Sequence, residues 1–359
     1  MRPLYYLGVF LPVAVGLKVA GGSPAFVFFA AALAVIPCAA AMGDATEQLA
    51  TRAGPGIGGL LNVTFGNAPE LIIALFALGK GLHEVVKASV VGSIVSNILL
   101  VLGASMLVGG LGRERQTFSR TAAHAQAAML LLALAALLLP AVFRLASGHP
   151  LPPVGRERVE FGSDLEWLSF AVALVLLVSY VAGLFFSLKT HRELFNPHSE
   201  DEEADEAWPT SRSVLLLAAS GVLVGIMSEL LVGSIEQASH DVGLSQFFVG
   251  VFVVAIVGNA AEHWVAVAVA RKNKMDLAMN IAVGSGAQVA LFVAPVLVLL
   301  SFVVGPAPMP LVFNGYELGG LLFAVLIANF VTSEGESNWF EGVQLLAVYL
   351  VLGLVFLFA

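Results

Sequence analysis

Two glutamates lie inside long apolar stretches of this 359-residue chain, each in the same short setting. The first is Glu70 in Gly66-Asn67-Ala68-Pro69-Glu70; the second, 192 residues later, is Glu262 in Gly258-Asn259-Ala260-Ala261-Glu262. The same offset carries Gly92-Ser93 onto Gly284-Ser285 and Ser96 onto Gln288, so a two-span unit is duplicated and not a single five-residue word. An ionised carboxylate at a bilayer centre costs about 2.5–3.5 kcal/mol on insertion scales, and it persists where it is paired, protonated or facing a water-filled cavity. Two such acids at matching repeat positions fit one cation site shared by two halves of a transporter. A structural pair of permanently protonated carboxyls is the bland alternative, which the duplication disfavours.

The neighbours of the acids suit the same chemistry. Gly66 and Gly258 tolerate unwound backbone that frees carbonyl oxygens, and Asn67 and Asn259 add neutral oxygen ligands. Pro69 removes an N–H, so a kink is expected there in the first copy. Ser93, Ser96, Ser285 and Gln288 are neutral oxygen donors on the following span, where small residues also serve helix packing. Oxygen-only ligands favour a hard cation. Calcium takes about 6–8 oxygens, and manganese and other oxygen-liking ions stay open. A divalent ion balances two carboxylates, and so do two protons. Burial disfavours an uncompensated carboxylate, so metal and protons would exclude each other and alternating access would yield metal/proton antiport. Glu47 and Glu229, near the ends of the first spans of the two repeats, could line opposite cation access routes or be ordinary interfacial acids. Asp44, Glu236 and Asp241 read as loop or rim charges. His263 follows Glu262 and could tune proton exchange, although the next residue on a helix points about 100° away.

The elements that must hold these residues are membrane helices. The chain is 58% hydrophobic and only 12% charged, with a mean hydropathy of +0.92. Apolar runs of about 20 residues, the length of a transmembrane helix, recur throughout. They are continuous and not alternating, which excludes a barrel. The expected fold is an all-α polytopic membrane protein of about eleven spans near 3–20, 24–42, 55–80, 86–110, 121–145, 164–188, 212–233, 245–270, 276–304, 312–332 and 339–358. The first span could pass for a signal peptide, but the next apolar run follows at once, so an uncleaved helix is expected. The acidic tract His198-Ser199-Glu200-Asp201-Glu202-Glu203-Ala204-Asp205-Glu206 separates two groups of five spans. It reads as a solvated linker, or more sharply as a cation-attracting or regulatory element. The domain plan is therefore 1–22 for the first helix, 23–190 for the first five-helix repeat, 191–211 for the acidic cytoplasmic linker and 212–359 for the second repeat. Five spans per repeat make the copies inverted. The loops on the N-terminal side carry 11 of the 17 basic residues, so the N-terminus is expected in the cytoplasm and the C-terminus outside.

Other features exclude alternatives. The lone Cys38 permits no intrachain disulfide or thiolate cluster and reads as a small core residue. Neither a zinc-peptidase motif nor a phosphate loop is present, so a zinc peptidase or an ATP-driven pump is unsupported. The net charge of −8 sits largely in one tract and implies no nucleic-acid partner. Gly315 and Gly319 form a GxxxG-type pair, a weak sign of close helix packing.

Taken together, Gly58 through Ile72, Val257-Gly258-Asn259-Ala260-Ala261-Glu262-His263, Gly92-Ser93-Ile94-Val95-Ser96-Asn97 and Gly284-Ser285-Gly286-Ala287-Gln288 resemble the calcium/proton exchangers of the calcium/cation antiporter superfamily. The plan of one first span, two five-span repeats and an acidic linker matches over nearly the whole chain. The resemblance implies that Glu70 and Glu262 bind calcium and protons alternately at the centre. It implies that Asn67, Asn259, Ser93, Ser285 and Gln288 support that site and that Glu47 and Glu229 lie on access routes. It implies transported Ca2+ and H+ with no cofactor, in an integral membrane protein of prokaryotic plasma-membrane type. Pro69 departs from the family, where many members carry Thr. A sodium-coupled or manganese-preferring antiporter of the same superfamily is the alternative within transport; a channel or a membrane-embedded enzyme is the alternative outside it.

Overall fold

Apolar runs of membrane-spanning length form helices because only a helix satisfies every backbone hydrogen bond within its own segment. The computed structural model describes residues 2–155, 163–191 and 208–359. The acidic tract at 198–206 lies outside the described residues. In chain order the helices are α1 (Pro3–Val19), α2 (Pro24–Gly66), α3 (Ala68–Gly79), α4 (His83–Gly110), α5 (Arg120–Ala146), α6 (Asp164–Thr190), α7 (Thr210–Val242), α8 (Gln246–Arg271), α9 (Met275–Leu300), α10 (Gly315–Thr332) and α11 (Trp339–Leu357). Among the described residues nine are long and apolar enough to cross a membrane, and α1 and α3 are shorter apolar helices. The protein is thus all-α and polytopic, with its apolar segments in the expected order. Two-residue strands β1 (Gln116–Thr117) and β2 (Glu336–Ser337) pair antiparallel, and Arg115 bridges to Glu336 at 2.8 Å beside them.

Two expected boundaries shift. The hydrogen-bonded helix α2 runs on through 43–54, where a loop was expected between the second and third spans. It is not straight: a Cβ added to Gly58 would lie 2.2 Å from the Ala50 carbonyl oxygen eight residues earlier. Those positions are about 12 Å apart along a straight helix, so the axis turns sharply between them. Helix α7 continues to Val242, well beyond the expected end near 233. Glu229 therefore lies within the helix and not near its end, and Glu236 and Asp241 are exposed helical residues and not loop charges.

The chain divides into two compact units. One gathers Met1–Phe76, Val181–Gly243 and Val257–Glu262; the other gathers Ala77–Tyr180, Leu244–Ile256 and His263–Ala359. In the first unit α2 packs along α7 and against α1. Cys38 is buried there with Met42, Ala68 and Val224. In the second unit α4 packs on the first half of α8, α5 packs on α9 and α10, and the end of α4 packs on α11.

That last contact depends on glycine. A Cβ on Gly342 would meet the Leu107 nitrogen at 2.4 Å and the Gly103 oxygen at 2.5 Å, both backbone atoms that cannot yield. The expected close pair, Gly315 and Gly319, is not such a contact, because an added Cβ there meets nothing within 4 Å. Gly342→Ala should therefore destabilise the protein by about 1–3 kcal/mol, the usual cost of overpacking. Gly319→Ala should be neutral or slightly stabilising. Thermal unfolding of the two variants in detergent checks this pair of outcomes.

Candidate cation site

The first motif sits at a true helix break. Pro69 cannot donate to the Phe65 carbonyl as a helical residue would. The Asn67 N–H turns back onto Phe65 O instead, with Asn67 at φ −94° and ψ 15°, and a new helix starts at Ala68. The second motif is different. Ala261 keeps its N–H, and the helix runs unbroken from Ala255 to Arg271 through Gly258 and Asn259. Unwound backbone expected at both glycines occurs only at the first.

Both motifs lean on α2. Ala68 packs with Cys38 and Met42, and Ala261 packs with Ala39 and Ala40. Small side chains on both sides allow close approach. Asn67 and Asn259 are fully buried, Glu70 is 9% exposed and Glu262 is half-buried. Both Glu70 oxygens are shielded from solvent and have no hydrogen-bond partner.

Within this first unit the copies face each other reciprocally. A Cβ on Gly66 would lie 3.4 Å from Glu262 Oε1. A Cβ on Gly258 would lie 3.1 Å from Glu70 Cγ and 3.6 Å from its Oε1. Each glycine thus leaves room for the acid of the other copy, and the two carboxylates lie within electrostatic reach of one another. Among the described residues no three His, Cys, Asp or Glu side chains gather to hold a metal. An ion beside the pair would draw on two carboxylates and neutral oxygens, the donor set of a hard cation.

The second unit assembles a neutral set. Ser93, Ser96, Asn97 and Ser285 are buried, Asn97 Nδ2 donates to Ser285 Oγ at 3.2 Å and Ser96 Oγ donates to Ser93 O at 3.2 Å. In both copies the helix widens to π geometry at or just past these residues, over Ser96–Val101 and Val289–Val293. Such bulges recur at functional sites because they shift the register of the side chains that follow. Gln288 ends the α-helical part of α9 immediately before the second bulge. His263 belongs to this unit and has a shielded Nε2 without a partner. Glu47 and Glu229 are both exposed on the first unit.

Asn97, the last residue of the Gly92-Ser93-Ile94-Val95-Ser96-Asn97 stretch, bonds to Ser285, although its counterpart at the repeat offset is Val289. One residue escapes the sequence reading. Gln126 on α5 lies against Gly284, its Nε2 3.1 Å from where a Cβ would be, and its counterpart is Leu318.

Comparison with known proteins agrees with this architecture. The family described as sodium/calcium exchanger protein matches residues 23–189 and 212–358. A protein named Ca2+/H+ antiporter from Aphanothece halophytica is 46% identical, over 92% of this chain and 90% of its own length. A protein of the same name from Synechocystis sp. is 44% identical, over 98% of this chain and 95% of its own. The solved structure of the Ca2+/H+ antiporter protein YfkE superposes with a TM-score of 0.83 at 38% identity, covering 100% of both chains. With matches of this extent, sharing both sequence and membrane fold, the chain belongs to the sodium/calcium exchanger protein family.

Proposed function

We propose that this protein is a secondary antiporter that exchanges Ca2+ for H+ by alternating access, with Glu70 and Glu262 holding one Ca2+ or two protons in turn. The observation that carries this reading is the reciprocal placement of each acid against the glycine of the other copy. Two like charges in a low-dielectric setting repel strongly, and either cargo removes that repulsion. Loaded with one divalent ion or with two protons, the pair is neutral and can be carried across the midplane. Bare, it is charged and cannot, which couples the two fluxes. The names of the relatives at 44–46% identity support calcium and protons as the cargo.

Asn67 and Asn259 supply neutral oxygens beside the acids. We assign Ser93, Ser96, Ser285, Gln288 and His263 to support of the cycle, and Glu47 and Glu229 to the access routes. The N-terminus faces the cytoplasm and the C-terminus the outside, and no catalytic step or cofactor is required.

Proteoliposomes loaded at low internal pH and placed in labelled Ca2+ at higher pH test the reading. Uptake without sodium is expected, and it collapses when a protonophore dissipates the gradient. Uptake that needs a sodium gradient and ignores the pH gradient would overturn proton coupling.

A further inference from the structure

Helix α9 carries polar groups on every fourth residue: Asp276, Asn280 and, after a gap at Gly284, Gln288. Residues four apart share one helix face. At the gap, α5 supplies the missing polar group. The Gln126 amide lies over Gly284, with Nε2, Cδ and Oε1 at 3.1, 3.5 and 3.7 Å from where a Cβ would be. Gln126 Nε2 donates to Asn280 Oδ1 at 3.0 Å, while its Oε1 is shielded and has no partner. At the loop end, Asp276 Oδ1 accepts from the Ser119 N–H, and Gln116 Nε2 donates to Asn273 Oδ1 at 3.0 Å. At the other end the stripe reaches Ser285, which is bonded to Asn97.

The repeat-equivalent face of α4 reads Glu84, Ala88, Gly92 and Ser96, and it is closed. Ala88 is buried with Phe247, Val251 and Phe356. A Cβ on Gly92 would meet the Val251 carbonyl oxygen at 2.0 Å, so α8 backbone fills the space that Gln126 fills on α9. One copy has a polar stripe, and in the other apolar packing and backbone interrupt it.

We propose that Gln126 completes a polar route along α9 by which protons, relayed through water, pass between the α8–α9 loop and Ser285 and Gln288. The inference rests on the proton-coupled reading above. Asp276 is the ionisable group at the mouth of the route. Helix α4 ends where α9 begins, since Arg113 donates to the Arg271 carbonyl at 3.2 Å. Glu84 and Lys87 on α4 are therefore at the far end, where they line a small cavity with Glu317 of α10. His124 and Arg120 on α5 are exposed. Proton relay needs groups that both give and accept hydrogen bonds, and an amide does both.

The test compares two activities of the reconstituted protein. Proton-driven Ca2+ uptake needs the route, whereas counterflow of labelled against unlabelled Ca2+ moves no net protons. Gln126→Leu should slow proton-driven uptake by about tenfold, the loss of one hydrogen-bonding station, and leave counterflow within about twofold. Gln126→His, whose neutral ring both gives and accepts hydrogen bonds, should restore uptake. Equal loss of both activities would make Gln126 merely structural, and loss of neither would remove it from the route; either overturns the proposal. If the parent shows counterflow but no proton-driven uptake, the antiport reading itself fails and this inference falls with it.

Discussion

Glu262→Gln is expected to abolish exchange, with proton-driven Ca2+ uptake falling by about a hundredfold or more, and Glu70→Gln should do the same. Glutamine keeps the shape and one acceptor oxygen but not the charge. With one carboxylate left, a bound Ca2+ leaves a net positive charge in a low-dielectric surround. Truncating one partner of a buried charge pair costs about 2–5 kcal/mol, and 2.7 kcal/mol is already a hundredfold. The return step changes as well, because one carboxyl carries one proton and the exchange no longer balances. Glu70 gives the cleaner readout, since both its oxygens are shielded without a hydrogen-bond partner and the substitution breaks no bond to them. Labelled uptake in proteoliposomes measures the effect. Uptake that survives in the double variant would remove the acids from the mechanism.

The second large effect belongs to the glycines. A Cβ at Gly258 would stand 3.1 Å from Glu70 Cγ, tighter than side chains ordinarily pack, so Glu70 must move by a few tenths of an ångström. At Gly66 the added methyl would stand 3.4 Å from Glu262 Oε1, in ordinary contact, and would narrow the space beside that oxygen. Calcium sits about 2.3–2.6 Å from its oxygens, so a methyl beside the ligand competes directly for that space. Gly258→Ala should weaken Ca2+ binding by about tenfold or more through a displaced ligand. Gly66→Ala should weaken it less, because nothing has to move before the ion arrives. Equilibrium Ca2+ binding to purified variants, with thermal unfolding to confirm that each is folded, separates the two. Unchanged affinity in both would mean that the acids do not meet the ion where the glycines face them.

Much of this was legible in the sequence because gene duplication writes symmetry into residue spacing. The two Gly-Asn-Ala-x-Glu words and the Gly-Ser pairs pointed to residues that the structure groups within the two units. The break at Asn67 followed from Pro69, since a missing N–H is a local fact. What depends on packing was not legible. The π segments that begin at Ser96 and at Val289 change register without any residue that demands it. The helical course of α2 through 43–54 replaces the loop expected between the second and third spans, and the chain turns sharply between Ala50 and Gly58. Gln126 has an apolar counterpart at the repeat offset, so its place emerged only once the helices were assembled. The two copies are also less alike than their words: Pro69 breaks one helix and Ala261 leaves the other whole.

If one pair of carboxylates holds Ca2+ and protons in alternation, the two cargoes must compete for it. Ca2+ affinity of the purified protein should be titrated from about pH 5 to pH 8, with proton release followed in weak buffer. If metal displaces protons from both acids, affinity falls as pH falls, the plot of log Kd against pH steepens toward a slope of about −2, and about two protons leave per Ca2+ bound. In Glu262→Gln the limiting slope should drop to about −1, because one titrating carboxyl remains. An affinity that stays flat across this range, or a slope unchanged by removing either acid, would contradict the account.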